Sequence, residues 1–333
     1  MLDLLFSTPV TLLVALALVF DFLNGFHDSA NVVATMIASR SMSPRKALIL
    51  NAVGNLIGPF LFGVAVAKTI GQDVVSETAA TQPVIIAALG GAIVWNLITW
   101  LFGLPSSSSH ALIGGLIGSA LTGYGLDAIL VSGLIKVLIA LFLSPFFGIL
   151  AGYLLMNLAI LLTREAHPRI NYVFKRVQVV TATALALSHG TNDAQKTMGI
   201  ITMGLVAEGV LEDFVVPLWV VVICAGVIAL GTALGGWRII RTLGAKFYKV
   251  RPMDSFISQV ASAAVIFGAA FLGGPVSTTH VVSTSIVGVG SADRVSKVRW
   301  GIVGDIITSW LLTIPASGLL AAMIYLFIVY ILV

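Results

Sequence analysis

The chain contains 333 residues, of which 58% are hydrophobic and only 10% are charged, and its formal net charge is +4. Soluble globular proteins carry about 25% charged residues and about 45–50% apolar ones, so this composition excludes a soluble domain and indicates a protein that lies in a lipid bilayer. The basic residues separate apolar blocks and do not form the runs that bind phosphate backbones, so we expect no nucleic-acid partner. The single cysteine, Cys224, excludes a disulfide framework and a thiolate metal site.

Apolar blocks occupy most of the sequence, and about twenty apolar residues suffice to cross a bilayer core of about 30 Å. The blocks lie at residues 4–39, 47–67, 83–103, 107–123, 128–163, 176–206, 214–236, 255–273, 276–291 and 299–333. They predict an all-α polytopic membrane protein with ten crossings, or up to twelve transmembrane helices if broken helices are counted as halves. The fourth and ninth blocks are short and rich in Gly, Ser and Thr, which favours re-entrant segments.

Basic residues are concentrated in alternate loops. Fifteen of the eighteen lysines and arginines follow the first, fifth, seventh and ninth blocks, whereas the opposite loops contain Lys68 as their only base. Loops rich in Lys and Arg stay in the cytoplasm. The charge pattern therefore predicts that both termini are outside the cell and that each half of the chain has an odd number of crossings.

The two halves of the chain are related in sequence. GFHDSAN at 25–31 matches GTNDAQK at 190–196, and PSSSSH at 105–110 matches PVSTTH at 275–280. Because each half has an odd number of crossings, the two copies must face opposite ways, as in many secondary transporters with a substrate site at the midplane. The sequence predicts a first inverted repeat, a cytoplasmic linker and a second inverted repeat, at residues 1–163, 164–176 and 177–333.

Asp28 and Asp193 occupy equivalent positions of the repeat inside apolar blocks, where a carboxylate costs about 2.5–3.5 kcal/mol on insertion scales. The glycines and amides around each aspartate predict that both helices are interrupted there. Carbonyls freed by an unwound turn, with carboxylate and amide oxygens, would form an oxygen cage for a hard cation. The candidate sodium ligands in these motifs are Asp28, Asn31, Asn192 and Asp193. The alternative is a pair of structural aspartates satisfied by hydrogen bonds between helices.

The PSSSSH and PVSTTH motifs stand at the starts of the fourth and ninth blocks. The free N–H groups and the positive dipole end of a helix start attract anions, and hydroxyl groups add further donors. Two such starts from inverted halves could close on one tetrahedral oxyanion. The candidate phosphate-binding residues are Asp28, Asp193, Ser107, Ser108, Ser109, Ser277, Thr278 and Thr279. The alternative for a serine-rich helix start is simple capping.

Three further polar residues lie next to these motifs. His110 and His280 follow the two helix starts, where packing beside the site and proton handling both remain open. Lys196 lies three residues after Asp193 and could pair with a carboxylate or attract an anion, whereas its counterpart in the first half is the neutral Asn31. We expect these three residues to support the site from behind the residues that bind the ligands, and we expect no transition metal.

The motifs resemble those of one known family. GFHDSANVVATMIASR at 25–40 and GTNDAQKTMG at 190–199, together with PSSSSH and PVSTTH, resemble the signatures of bacterial-type members of the inorganic phosphate transporter (PiT) family. The resemblance extends over almost the whole chain, with the motifs in the family's order. It implies a dimeric cation-coupled symporter for inorganic phosphate in the prokaryotic inner membrane, with essential aspartates and no cofactor besides the coupling ion.

The resemblance also bears on the coupling ion. Animal members carry glutamates in the second helix and before the PVSTTH-like motif, where Asn55 and Gln259 stand here. Neutral amides can hold Na⁺ through their oxygens but offer fewer places for a proton, so Asn55 and Gln259 join the candidate sodium ligands. Proton-coupled transport of phosphate or sulfate is the alternative. The alternative from a different class is an intramembrane hydrolase with Ser109 and His110 as nucleophile and base. We expect no enzyme, because adjacent residues on a helix point about 100° apart and do not face each other.

Overall fold

The computed structural model describes residues 7–236, 240 and 249–332. They form eleven α-helices and no β-strand, which confirms the predicted all-α class. Each of the ten apolar blocks overlaps at least one of these helices. The basic residues Arg238, Arg241 and Lys246, which belong to the charge pattern of the loops, lie outside the described residues.

The helices follow one another with short connections. In chain order they are α1 (Thr8–Ala38), α2 (Pro44–Ile57), α3 (Ala65–Gln72), α4 (Gln82–Phe102), α5 (Ser108–Tyr124), α6 (Val131–Thr163), α7 (Ile170–Ala207), α8 (Leu218–Leu234), α9 (Pro252–Phe271), α10 (Thr278–Asp293) and α11 (Trp300–Phe327). Proline stands in the first turn of α2 and α9, where its fixed φ suits the helix and its missing N–H costs nothing.

Five of the helices, α1, α4, α6, α9 and α11, are long and apolar enough to cross a membrane. The helix α2 with its 3₁₀ turn and α3 are together long and apolar enough to cross, but they meet at an angle of 76°, as in a broken span or a re-entrant loop. The helices α5, α8 and α10 are shorter, with 17, 17 and 16 residues. α7 has 38 residues, but polar side chains fill its middle.

The sequence predicts that the helices are interrupted at Asp28 and Asp193, and this prediction is wrong. Both α1 and α7 are continuous helices through their aspartates. Hydroxyl groups of α10 donate to both carboxylates, and His189 and Lys196 of α7 itself contact Asp193, so no unwound turn is needed to supply partners. The backbone carbonyls of these turns consequently remain within the helices and are not freed as cation ligands.

The helices α1 and α7 pack side by side through the centre of the protein and run antiparallel. Near one end of the pair Leu13 contacts Gly204, and near the other Ser39 donates a hydrogen bond of 3.1 Å to Gln178. Two hydrophobic clusters enclose the two ends, one around 10–20 of α1 and 194–205 of α7, and the other around 30–36 and 182–186. The polar side chains of both helices therefore meet in the layer between the two clusters.

The helices of the two halves interleave. α5 packs against α11, and α10 packs against α6, so each helix that follows a Ser/Thr motif contacts the last long helix of the other half. The helices α6 and α10 approach each other closely, since a Cβ atom added to Gly152 of α6 would lie only 2.5 Å from the carbonyl oxygen of Ser285 of α10. This exchange brings the starts of α5 and α10 to the polar layer from two directions.

The helix ends at the basic loops lie together on one side of the protein. Gln178 near the start of α7 accepts hydrogen bonds from Ser39, just beyond α1, and from Ser255 of α9. On the same side the ammonium group of Lys297 lies 3.0 Å from Asp254 and 3.1 Å from Asp293. These contacts join the ends of α1, α7, α9 and α10 and the 3₁₀ turn at Lys297 into one polar face.

Candidate transport site

Asp28 of α1 gathers hydroxyl groups from both Ser/Thr helix starts. Its Oδ1 accepts a hydrogen bond of 2.8 Å from Thr279, and its Oδ2 lies 3.4 Å from the hydroxyls of Ser108 and Thr278. The ring of His27 lies 3.3 Å from Oδ1. All five residues are buried. The first turns of α5 and α10 thus converge on a single carboxylate.

Asp193 of α7 lies beside Asp28 and shares one of its partners. The Thr278 hydroxyl donates to Oδ2 of Asp193 at 2.8 Å; because it has one proton, its 3.4 Å contact with Asp28 is the weaker one. The other oxygen, Oδ1, forms an ion pair with Lys196. Nε2 of His189 lies 2.9 Å from Oδ2. The equivalent aspartates of the two halves therefore belong to one site.

A chain of hydrogen bonds fixes the protonation of one nitrogen of His189. The Thr232 hydroxyl donates to the carbonyl of Ile228 at 2.8 Å and accepts from Nδ2 of Asn55 at 2.7 Å. Asn55 therefore turns its Oδ1 toward Nδ1 of His189, at 2.9 Å. An amide oxygen only accepts hydrogen bonds, so Nδ1 of His189 carries a proton. Asn55, a candidate sodium ligand, thereby orients the histidine.

The second nitrogen of His189 faces both aspartates. Nε2 lies 2.9 Å from Asp193 and 3.9 Å from Asp28, without hydrogen-bond alignment. If Nδ1 holds the only ring proton, Nε2 presents a lone pair to two carboxylates, which is repulsive. A proton on Nε2, or a cation among these groups, removes that repulsion. One atom from each of the three side chains lies within 4.8 Å of the others, close enough for one cation to contact all three.

Ser107 and Ser277 have capping roles. Each is the N-cap of its helix, and its hydroxyl accepts a hydrogen bond of 3.2 Å from the backbone N–H of His110 or His280, respectively. Ser109 donates instead to the carbonyl of Val276 at 3.1 Å, which ties the two helix starts together. Of the six hydroxyl residues predicted at these starts, Ser108, Thr278 and Thr279 reach the carboxylates.

The two histidines at the helix starts pack behind the site. Their ring centroids are 4.5 Å apart, and His280 stacks on Trp310 at 3.8 Å. His110 contacts the Ser107 hydroxyl at 2.8 Å, while the Ser109 hydroxyl points to the backbone. Neither adjacent pair, Ser109–His110 or Thr279–His280, forms the hydrogen bond that a nucleophile and its base require.

Two of the remaining candidate sodium ligands have side-chain oxygens available. Asn31 donates to the Thr279 hydroxyl at 3.1 Å, and Asn192 donates to the carbonyl of Gly274 at 3.2 Å. The Oδ1 atoms of both amides are buried and have no hydrogen-bond partner among the described residues. Oxygens of this kind are the ligands that a hard cation takes.

Gln259 does not join this group. Its Oε1 accepts a hydrogen bond of 2.6 Å from Thr181, and its Nε2 lies 3.4 Å from the hydroxyl of Thr35. Thr35 is seven residues after Asp28, about 10 Å along the helix. Gln259 therefore belongs to the polar face at the basic side of the protein, and it contacts neither aspartate.

The sequence reasoning missed two residues of α1. Asn24 accepts a hydrogen bond of 2.6 Å from Ser108, and the fully buried Asp21 accepts one of 2.7 Å from Thr197. Residues 21, 24 and 28 are spaced three and four apart, which places them on one face of a helix. That spacing is visible in the sequence and marks the polar stripe of α1.

The chain is similar to known proteins along almost its whole length. It matches the phosphate transporter family (PHO4) over residues 24–168 and 161–321. A "Probable low-affinity inorganic phosphate transporter" of Rhizobium meliloti (strain 1021) is 46% identical over 315 residues, 94% of either chain. A protein of the same name from Bacillus subtilis (strain 168) is 44% identical over 318 residues, which are 94% of this chain and 95% of that one.

The fold is also that of a solved structure. The structure named "The sodium-dependent phosphate transporter" has a TM-score of 0.87 and 22% identity, and the match covers 98% of this chain and 100% of that chain. The family match and the bacterial relatives confirm the resemblance indicated by the four motifs, and the matched family consists of transporters. The chain is therefore a multi-pass membrane transporter, not an enzyme, and it belongs to the phosphate transporter family.

Proposed function

We propose that this protein imports inorganic phosphate together with a cation, sodium, by alternating access. The observation that carries the proposal is the convergence of hydroxyl groups from two helix starts on Asp28, directly beside Asp193. An arrangement of this kind provides hydrogen-bond donors for an oxyanion and carboxylates for cations within one buried layer. The names of the bacterial relatives and of the matched family support phosphate as the substrate.

Electrostatics explain why the anion would need a cation here. Two like unit charges 4 Å apart repel by about 4 kcal/mol at an effective dielectric constant of about 20, so a phosphate dianion is repelled by Asp28 and Asp193. Moving a dianion against 100 mV costs about 4.6 kcal/mol, and each Na⁺ that accompanies it offsets about half. A cation at a carboxylate also releases hydroxyls from that carboxylate, so that they can donate to phosphate.

In this proposal the phosphate ligands are the hydroxyls of Ser108, Thr278 and Thr279, with Ser107, Ser109 and Ser277 shaping the helix starts. HPO₄²⁻ carries a hydroxyl that can donate a hydrogen bond to the carboxylate of Asp28 or Asp193, whereas sulfate has no proton to donate. The two carboxylates therefore favour phosphate over sulfate. This preference is lost if cations fully occupy both carboxylates.

The proposed sodium ligands are the oxygens of Asp28, Asp193, Asn31 and Asn192, with Asn55 acting through His189. Asn55 and Gln259 are neutral, which limits the places where a coupling proton could bind. The structural neighbour is named as sodium-dependent, which supports the same ion. Because Gln259 contacts neither aspartate, we assign it to the wall of the pathway on the basic side.

The proposed membrane arrangement follows the charge pattern and the repeat. The basic loops face the cytoplasm of a prokaryotic inner membrane, so both termini are outside. The inverted repeats at 1–163 and 177–333, joined by the cytoplasmic linker 164–176, supply the two halves that exchange access; the antiparallel α1 and α7 are consistent with this inversion. The exposed apolar faces of α6 and α11 contact lipid and the second protomer of a homodimer.

Uptake of labelled phosphate into proteoliposomes tests the proposal. Inward gradients of Na⁺ and of H⁺ are imposed separately, with excess sulfate as competitor, and we expect sodium-driven uptake that ignores sulfate. Asp28→Asn and Asp193→Asn should abolish this uptake. Asp305→Asn, a matched change at an exposed position of α11, should leave it unchanged.

Each other outcome has a distinct meaning. Uptake driven only by H⁺ would show that the coupling ion is wrong. Strong competition by sulfate would show that the assignment of phosphate as the preferred substrate is wrong. Full transport by both aspartate variants would refute the proposed site.

A further inference from the structure

Lys196 is a fully buried lysine whose ammonium group lies inside the site, beside Asp193. It lies one helical turn after Asp193, and its ammonium group forms an ion pair with Oδ1 of that residue. The same ammonium donates a hydrogen bond of 3.0 Å to the carbonyl of Val276, directly before the start of α10. A carboxylate oxygen and a backbone carbonyl are the kinds of ligand that a bound metal cation would take.

The other half of the repeat has no such charge. By the alignment of GFHDSAN with GTNDAQK, the counterpart of Lys196 is Asn31, just as Asp28 corresponds to Asp193. The Asn31 amide donates to Thr279 at 3.1 Å and leaves its buried oxygen without a hydrogen-bond partner. One half therefore holds a covalently attached cation at its aspartate, where the other half holds a neutral amide with a free oxygen.

We infer that the Lys196 ammonium is a tethered cation that occupies the second cation position of the site. The protein therefore binds one mobile coupling ion fewer than it would bind if both halves of the repeat held a free cation position. The inference rests on the proposed function, because it concerns the number of ions that accompany phosphate. The two aspartates provide two negative charges, and Lys196 neutralises one of them permanently. The remaining position lies where Asp28, His189 and Asp193 approach one another within 4.8 Å.

A tethered cation also differs from a mobile one in its consequences for transport. A sodium ion must bind and leave in each cycle, and its gradient contributes to the driving force. The ammonium of Lys196 stays with the protein in each cycle, so it stabilises Asp193 without contributing energy. Removing it should therefore increase the number of ions used for each phosphate.

The number of Na⁺ ions transported with each phosphate tests the inference. It is obtained in proteoliposomes from the sodium gradient that just balances an opposing phosphate gradient at a clamped membrane potential. We expect Lys196→Gln to use one more Na⁺ per phosphate than the unmodified protein. Lys196→Arg keeps the positive charge and should leave the number unchanged, as should Lys136→Gln, which removes an exposed lysine from α6.

A second variant covers the case in which Lys196→Gln does not fold. Asn31→Lys places an ammonium beside Asp28 and should lower the number of Na⁺ ions per phosphate by one, or abolish sodium dependence while phosphate exchange persists. An unchanged number in either folded variant would overturn the inference. A higher KM for phosphate in Lys196→Gln with an unchanged number would also overturn it, by making Lys196 a phosphate ligand. Absence of sodium-driven uptake in the unmodified protein would refute the proposed function itself. That outcome is distinguishable from a failure of the inference about Lys196, which requires sodium-driven uptake with an unchanged number of ions.

Discussion

Gly190 lies next to His189 and provides a close backbone contact between α7 and α2 at Asn55. A Cβ atom at this position would lie 2.6 Å from Cα and 2.8 Å from the carbonyl oxygen of Asn55. Both neighbouring atoms belong to the backbone, so no side-chain rotation can relieve the overlap. The substitution Gly190→Ala therefore displaces the segment of α2 that carries Asn55.

The size of the effect follows from these distances. Ordinary contact begins at 3.4 Å, so α2 must retreat by about 0.8 Å at Asn55. A shift of that size along the hydrogen bond would stretch the present 2.9 Å between Asn55 and His189 beyond about 3.5 Å, where it no longer counts as one. Overpacking of a close contact costs about 1–3 kcal/mol. We expect both a lower unfolding temperature and weaker phosphate uptake.

Gly226→Ala is the matched control. Gly226 lies on α8 with open space around its Cβ position, and alanine in a helix stabilises by about 0.4–1 kcal/mol relative to glycine. Both variants are compared by thermal unfolding in detergent and by phosphate uptake in proteoliposomes. Equal unfolding temperatures and equal uptake in the two variants would refute the assigned role of the contact between α2 and α7.

Two further predictions concern Thr279 and the polar face at the basic side. Thr279→Val removes the hydroxyl that donates the shortest hydrogen bond to Asp28, and it should lower the free energy of unfolding by about 1.5–3 kcal/mol. The control Thr308→Val, on the exposed surface of α11, should lower it by less than about 0.5 kcal/mol. Equal unfolding temperatures of the two variants would contradict this prediction. At Asp293, burial raises the pKa, but the neighbouring Lys297 and Arg251 outweigh it and hold the pKa below its usual value. A carboxyl group whose pKa is lowered in the folded state stabilises the protein at pH values above its ordinary pKa of about 3.9. That stabilisation is lost as the pH falls through the lowered pKa. Asp293→Asn should therefore lower the unfolding temperature at neutral pH and have progressively less effect below about pH 4; a difference independent of pH would contradict the ion-pair account.

The positions of the helices could be predicted because composition and periodicity are local. Each of the ten apolar blocks overlaps at least one described helix, and the paired motifs singled out Asp28 and Asp193, whose carboxylates lie close together in the structure. The continuity of α1 and α7 through these aspartates could not be predicted, since it depends on partners that lie far away in the sequence, such as Thr278 and Thr279. For Asp28, the partner Thr279 lies 251 positions away in the chain.

The limits of the site prediction have the same physical cause. Asn55 and Gln259 look alike in the sequence, because both are neutral amides within apolar blocks and both are predicted as sodium ligands. Asn55 nevertheless orients His189, whereas Gln259 contacts Thr181 and Thr35 outside the group of aspartates. Only the packing of α2 and α9 against α7 distinguishes them, and a pattern of residues along one chain does not contain that information.

An experimental structure determined with phosphate and Na⁺ tests the central claim most directly. The account predicts tetrahedral density between the starts of α5 and α10, within hydrogen-bond distance of Ser108 and Thr279, and cation density beside Asp28. Density for phosphate elsewhere, with Asp28 still bound to the hydroxyls of both helix starts, would contradict the account.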